Sequence, residues 1–293
     1  MRSQVRAAVV VLVAVAATGC GSGSSSRPAE PAPAPGAATA TTTGAASPSA
    51  AAWATLPGAL GRCGPQPPRV QGASYEPLTL TDPAVGRIPA VRLGTGSTAL
   101  VLLHQTDGNG LCGWLPFLPI AAAAGYTTLA VDLCRYGEAR CRKVDDGTFT
   151  DADQVDPARL AVRYAREQLG ARRVVVVGAS MGGAVALMTG VAVPGLAGVV
   201  DLSGPADWPG LGTARGGRAL PVPVLVAMAD TEGAEAVAAA RAVAAHAPAG
   251  SAFLAAPTSH GWDLVTGPEG EATPLTGPLL AWLAERTSAR STG

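Results

Sequence analysis

One serine stands in a setting that could make it a nucleophile. Ser180 lies within Gly178-Ala179-Ser180-Met181-Gly182-Gly183, the G-x-S-x-G spacing of a strand-to-helix turn that lifts a hydroxyl clear of a sheet. Val174 to Val177 before it are four β-branched residues and read as a strand buried on both faces. Ala184 to Met188 after it are good helix formers. So sharp a turn strains the serine backbone, and the residues two before and two after must lack bulk. Gly178 and Gly182 meet that need, and Gly183 lets the helix pack close to the sheet. The turn aims the helix N-terminus, with the Met181 N–H, at any negative charge forming beside the hydroxyl. A phosphate-binding turn is also Gly-rich, but the flanking valine run and helix favour the nucleophile.

A serine hydroxyl needs a base, most often histidine. The chain has three histidines, so elimination is possible. His246 falls near the C-terminal end of an Ala-rich helix, where a histidine suits the helix dipole. His104 ends a strand ahead of the serine. His260, in Thr258-Ser259-His260-Gly261-Trp262, follows the last strand, at the carboxyl edge where an open parallel sheet places its site. It is the expected base. An acid is expected between serine and histidine in chain order. Two carboxylates compete after the Pro223 to Ala229 strand. Asp230 lies nearest the strand end and is preferred; Glu232 has the better offset if Ala229 replaces a turn glycine. Asp207 is a distant third.

The elements that must hold these groups alternate. Strands are expected at Tyr75–Thr81, Ile88–Leu93, Ala99–Leu103, Thr127–Leu133, Val174–Val177, Gly198–Leu202, Val222–Met228 and Ser251–Ala256. Helices are expected at Cys112–Ala124, at Asp156–Leu169 with Asp156-Pro157 as its N-cap and first turn, after the elbow, at Ala234–Ala247 and at Pro274–Glu285. Such alternation implies crossovers and a mostly parallel eight-stranded sheet with helices on both faces, an α/β domain over 71–288. Ser203 to Pro221 is short and glycine-rich and reads as loop, which predicts a shallow, loop-flanked pocket with no substantial cap domain. Trp208, Trp114 and Trp262 either stand at its rim or fill space in an aromatic-poor core.

Composition narrows the setting. The 293 residues carry 21 basic and 21 acidic side chains, so nucleic-acid binding has no electrostatic support. Hydrophobic residues are 48% and aromatic ones 4%, a core built from Ala, Val and Leu. Residues 1–19 read as a signal peptide: Arg2 and Arg6, then an apolar run from Ala7 to Ala17 too short to span a bilayer. Ala17-Thr18-Gly19-Cys20 resembles a bacterial lipobox, which favours a lipid anchor at Cys20 on the cell envelope over plain secretion. Residues 20–52, rich in Ala, Pro, Ser and Thr, read as a disordered tether. Residues 53–70 are a lead-in and 289–293 a tail. Of the remaining cysteines, the favoured pairings are Cys134–Cys141, closing a short loop, and Cys63–Cys112, pinning the lead-in. Histidines are few and no C-x-x-C occurs, so no metal is expected. Nor is any cofactor. The chain is expected to be a monomer.

Residues 71–288 resemble the α/β-hydrolase superfamily, nearest to its dienelactone-hydrolase-like and esterase-like members. Leu102-Leu103-His104-Gln105, Val131-Asp132-Leu133-Cys134-Arg135-Tyr136-Gly137, the elbow and Ser259-His260-Gly261-Trp262 carry the resemblance. It implies an oxyanion hole made by the Met181 N–H and a backbone N–H at Gln105 or a neighbour, with His104 shaping the hole. The family often has His-Gly where this chain has His104-Gln105. The activity implied is hydrolysis of a small acyl substrate (an ester, thioester or lactone) through a Ser-His-Asp/Glu triad. The alternatives are a scaffold lipoprotein that kept the fold without the chemistry, and a serine peptidase or acyltransferase.

Overall fold

The computed structural model describes residues 52–107, 109–211 and 220–288. The signal peptide, Cys20 and nearly all of the tether lie outside the described residues. A lead-in arm comes first, with β1 (Ala54–Thr55), a 3-10 turn at Gly58–Cys63, β2 (Pro65–Gln66) and α1 (Pro68–Gln71). The strands of the main sheet are β3 (Glu76–Asp82), β4 (Gly86–Leu93), β5 (Thr98–Leu103), β6 (Thr127–Val131), β7 (Arg140–Cys141), β8 (Arg173–Ala179), β9 (Gly198–Leu202), β10 (Val224–Ala229) and β11 (Ala252–Ala256). The helices among them are α2 (Leu118–Ala123), α3 (Arg142–Asp145), α4 (Val155–Glu167), α5 (Met181–Ala192), α6 (Ala234–His246) and α7 (Thr276–Thr287).

The main sheet runs β11-β10-β9-β8-β5-β6-β4-β3, with β7 on the edge of β4. Every pair from β11 to β6 is parallel, and the β3–β4 hairpin joins β6 antiparallel. Strand residues alternate between two cores. Val101, Leu103, Val174 and Val176 pack towards one cluster, with Ala158, Ala161 and Val185 of α4 and α5. Leu100, Leu102, Val175 and Val177 pack towards the other, with Phe117, Leu279 and Leu283. β8 thus lies at the centre, fully buried along its valines, as a strand covered by helices on both faces must be.

Three expectations need correction. The sheet gains a ninth strand, β7, inside the stretch expected to be loop; the Cys134–Cys141 disulfide returns the chain to the β4 edge. The single helix expected at Cys112–Ala124 is a 3-10 turn at Gly110–Trp114 followed by the short α2, because Pro116 cannot donate within a continuous helix and Pro119 is tolerated only in a first turn. Asp156 does not cap α4: the cap is Gln154, preceded by a capping box between Thr150 and Asp153. Asp156 instead pairs with Lys143 at 2.8 Å.

The arm is tied to the domain at two points. Cys63 is bonded to Cys112. Arg62 reaches across 70 residues to the fully buried carboxylate of Asp132, with Nη2 at 2.7 and 3.0 Å from its two oxygens. Asp132 also accepts the N–H groups of Leu111 and Glu138, each at 2.9 Å. One buried anion therefore holds the arm, the segment after β5 and the turn after β6. Removing the cation would leave that anion unpaired in a dry site. Arg62→Ala should lower the unfolding free energy by about 3 kcal/mol in urea denaturation. Glu138→Ala, whose exposed carboxylate only grazes Arg62 at 4.0 Å, should change it by less than about 0.5 kcal/mol.

Candidate active site

Ser180 sits at the β8–α5 junction with φ 50° and ψ −118°. A left-handed φ is unfavourable for a residue with a side chain, and the surrounding backbone imposes it. A Cβ on Gly178 would fall 1.8 Å from the Gly182 carbonyl oxygen, and one on Gly182 would fall 2.3 Å from the Leu103 carbonyl oxygen. The elbow is therefore backbone against backbone, seated on the end of β5. Ser180 N–H donates to Leu202 O at 2.7 Å, while Ser180 O accepts the Gly183 N–H at 2.7 Å. The hydroxyl is left at the start of α5, beside the Met181 N–H, whose first-turn position gives it no partner in the helical ladder.

The contact of Gly182 with Leu103 and His104 brings the segment after β5 to the same place. His104 is buried and holds that segment in shape. Its Nδ1 donates to Gln105 O at 2.6 Å and its Nε2 accepts Leu133 N–H at 2.8 Å. Burial pushes its pKa down, consistent with the neutral ring those partners require. Both ring nitrogens are thus occupied, which leaves His104 no free site for proton transfer. Gln105 packs its carboxamide against Gly261, where a Cβ would lie 2.1 Å from Oε1. The segment after β5 therefore braces the turn that carries His260. The Gln105 N–H has no acceptor among the described residues.

His260 follows β11 in extended conformation, between Ser259 at φ 88° and Gly261 at φ 57°. Its Nδ1 hydrogen-bonds Glu232 Oε1 at 2.5 Å. The preference for Asp230 does not hold. Asp230 is exposed at the start of a 3-10 turn, Asp230–Glu232, that follows β10. That turn carries the next acid back over the sheet edge, and the longer glutamate side chain spans the gap. The carbonyl of Asp230 accepts the Gly233 N–H, which closes the turn. Asp207 is exposed in a turn after β9. His246 is exposed as the last residue of α6.

Ser180, Glu232 and His260 line one cleft of about 160 Å³. No hydrogen bond joins Ser180 to His260 in this structure, as is common before a substrate is bound. Leu187, Leu211, Met228 and the small side chains Ala236, Ala239 and Ala240 of α6 form its apolar walls. The Ala-rich face of α6 is what leaves this space open. Asp201, at the end of β9, lines the cleft too. Burial pushes its carboxyl up to about 7, against one hydrogen bond from Gly204 N–H. None of the three tryptophans stands at the rim. Trp114 is fully buried, Trp262 packs edge-on against it and over Gly113, and Trp208 packs on the core under α4 and α5. Residues 203–211 form no helix. Among the described residues no cluster of His, Cys, Asp or Glu could hold a metal ion.

A model of the family described as "Alpha/beta hydrolase family" matches residues 100–291. No curated protein matches the chain in sequence. Among solved structures, the Pyrococcus furiosus esterase Pf2001 superposes with a TM-score of 0.57 at 14% identity, over 73% of this chain and 93% of that one. An alpha-beta serine hydrolase homologue from Coxiella burnetii gives 0.53 at 13%, over 73% and 97%. A mutant of a putative epoxide hydrolase from Pseudomonas aeruginosa gives 0.55 at 18%, over 73% and 97%. Identities this low establish a shared fold.

Two measurements follow from this geometry. A downfield imidazole N–H resonance from the His260–Glu232 bond should vanish in Glu232→Gln and survive in Asp230→Asn; the reverse pattern would return the role to Asp230. The raised pKa of Asp201 means that the folded chain holds a proton the unfolded chain has released. Stability therefore falls as pH rises from about 4 to about 7. In calorimetry, Asp201→Asn should raise Tm at pH 8 and by clearly less at pH 5.

Proposed function

Because the chain belongs to the alpha/beta hydrolase family, we propose that it is a serine hydrolase that cleaves a short-chain carboxylic ester, thioester or lactone through Ser180, His260 and Glu232. The observation that carries this reading is the convergence on one cleft of a strained elbow serine and an imidazole whose far nitrogen is held by a carboxylate. With Nδ1–H donating to Glu232, Nε2 is left as the basic nitrogen facing the reaction. It takes the Ser180 proton as Oγ bonds to the substrate carbonyl carbon. The oxygen becomes an oxyanion, and the Met181 and Gln105 N–H groups are the donors this reading assigns to it. Donors of this kind are typically worth roughly 3–4 kcal/mol each. His260 then returns the proton to the leaving alcohol or thiol as that bond breaks, leaving an acyl–Ser180 ester. A water deprotonated by His260 attacks the ester and releases the acid, and the proton goes back to Ser180.

The size of the cleft argues for a short acyl group, since drug-sized ligands occupy several hundred Å³. The two disulfides support export to an oxidising compartment. Together with the lipobox-like Ala17-Thr18-Gly19-Cys20, they favour an enzyme anchored at the cell envelope, which we propose acts as a monomer.

Kinetics on p-nitrophenyl acetate, butyrate and laurate test the proposal. The acetate and butyrate should be turned over in preference to the laurate, and Ser180→Ala or His260→Ala should each lower kcat by at least about a thousandfold. Turnover that persists in Ser180→Ala, or folded parent protein that hydrolyses none of the esters, would refute it.

A further inference from the structure

The lining of the apolar cleft includes two buried polar groups that the hydrolytic steps do not use. Asp201 and Ser203 are 4% and 3% exposed, and both line the cleft with Ser180. Asp201 forms no salt bridge among the described residues. Its Oδ1 is wedged between the first turn of α5 and the following loop: a Cβ on Gly183 or on Gly204 would fall 2.1 or 2.3 Å from it. Ser203 holds a left-handed φ of 60°, and its buried Oγ has no hydrogen-bond partner among the described residues. A strained backbone and an unpaired buried hydroxyl each oppose folding. Glycine would relieve both, yet serine stands there.

From this juxtaposition, and resting on the serine-hydrolase reading above, we propose that Asp201 and Ser203 are specificity-determining residues that bind a hydroxyl group on the substrate's acyl chain. A hydroxyl both donates and accepts, so it satisfies the Ser203 hydroxyl and the carboxyl of Asp201 in either protonation state. A plain alkyl chain in the same place would leave the Ser203 hydroxyl buried and unpaired and give the Asp201 carboxyl no partner beyond the Gly204 N–H, the situation in which a site discriminates most strongly. The preferred substrate is then a small hydroxyacyl ester or the corresponding lactone.

Binding to Ser180→Ala protein tests this without turnover, with ethyl butyrate, ethyl 3-hydroxybutyrate and ethyl 3-aminobutyrate as probes in NMR titrations. The hydroxy ester should bind at least about tenfold more tightly than the plain one. That preference should shrink to about threefold or less when Ser203→Gly or Asp201→Ala is added. Ser203→Gly suits the backbone at this position and should fold with a Tm no lower than the parent's. Equal affinity for the butyrate and hydroxybutyrate esters would overturn the assignment, as would a preference that survives Ser203→Gly. Tighter binding of the amino ester would overturn it in favour of a cationic acyl group. A parent chain that hydrolyses no ester, but whose Ser180→Ala form favours the hydroxy ester, would refute the catalytic reading and uphold this one.

Discussion

Everything at the site depends on how closely two stretches of main chain approach each other. Gly178, Gly182 and the carbonyls at the end of β5 meet with no room for a methyl group. That contact fixes three things together. It drives Ser180 into a left-handed conformation at the start of α5, seats Gly182 against the Leu103 and His104 carbonyls, and so fixes the chain just ahead of Gln105 against the elbow. Such a conformation persists only where the surroundings over-determine it. Here the surroundings are the central strands β5, β8 and β9, whose hydrophobic residues are almost fully excluded from solvent.

Around that contact, left-handed serines gather at the carboxyl edge. Ser180, Ser203 and Ser259 follow β8, β9 and β11. Each turns the chain sharply away from the sheet, so that side chains from three strand ends face a shared space. The outer loops are held by other means. Asp132, Arg62 and the Cys63–Cys112 bond secure the segment after β5 from the side of the arm. The paired amide of Gln154 and backbone of Cys134 secure the loop after β6. Loops tied down at several points are what the proposed oxyanion stabilisation would require.

Much of this was legible in the chain itself, because strong local signals agreed with the global fold. The valine run, the alternation of strands with helices and the glycines around Ser180 each encode a requirement of local backbone geometry or burial. The acid was not legible at residue level. Whether Asp230 or Glu232 meets His260 depends on the 3-10 turn after β10, and no periodicity announces such a turn. The break before α2 was legible in principle, since Pro116 forbids a continuous helix, but the apolar pattern outweighed it. The Arg62–Asp132 pair and the stacking of Trp262 on Gly113 are tertiary facts with no local signature. The polar part of the cleft lining escaped for a different reason. Asp201 and Ser203 look in sequence like ordinary strand-end residues, and only burial and an unpaired hydroxyl mark them out.

On the proposed reading, the elbow makes Ser180 the activated hydroxyl among the described residues. Mass mapping of the protein after treatment with a fluorophosphonate tests it most directly. One phosphonyl adduct per chain is expected, on Ser180, and none in a folded Gly182→Ala variant whose added methyl group displaces the turn. An adduct on another residue, or a folded parent chain that takes none, would contradict it.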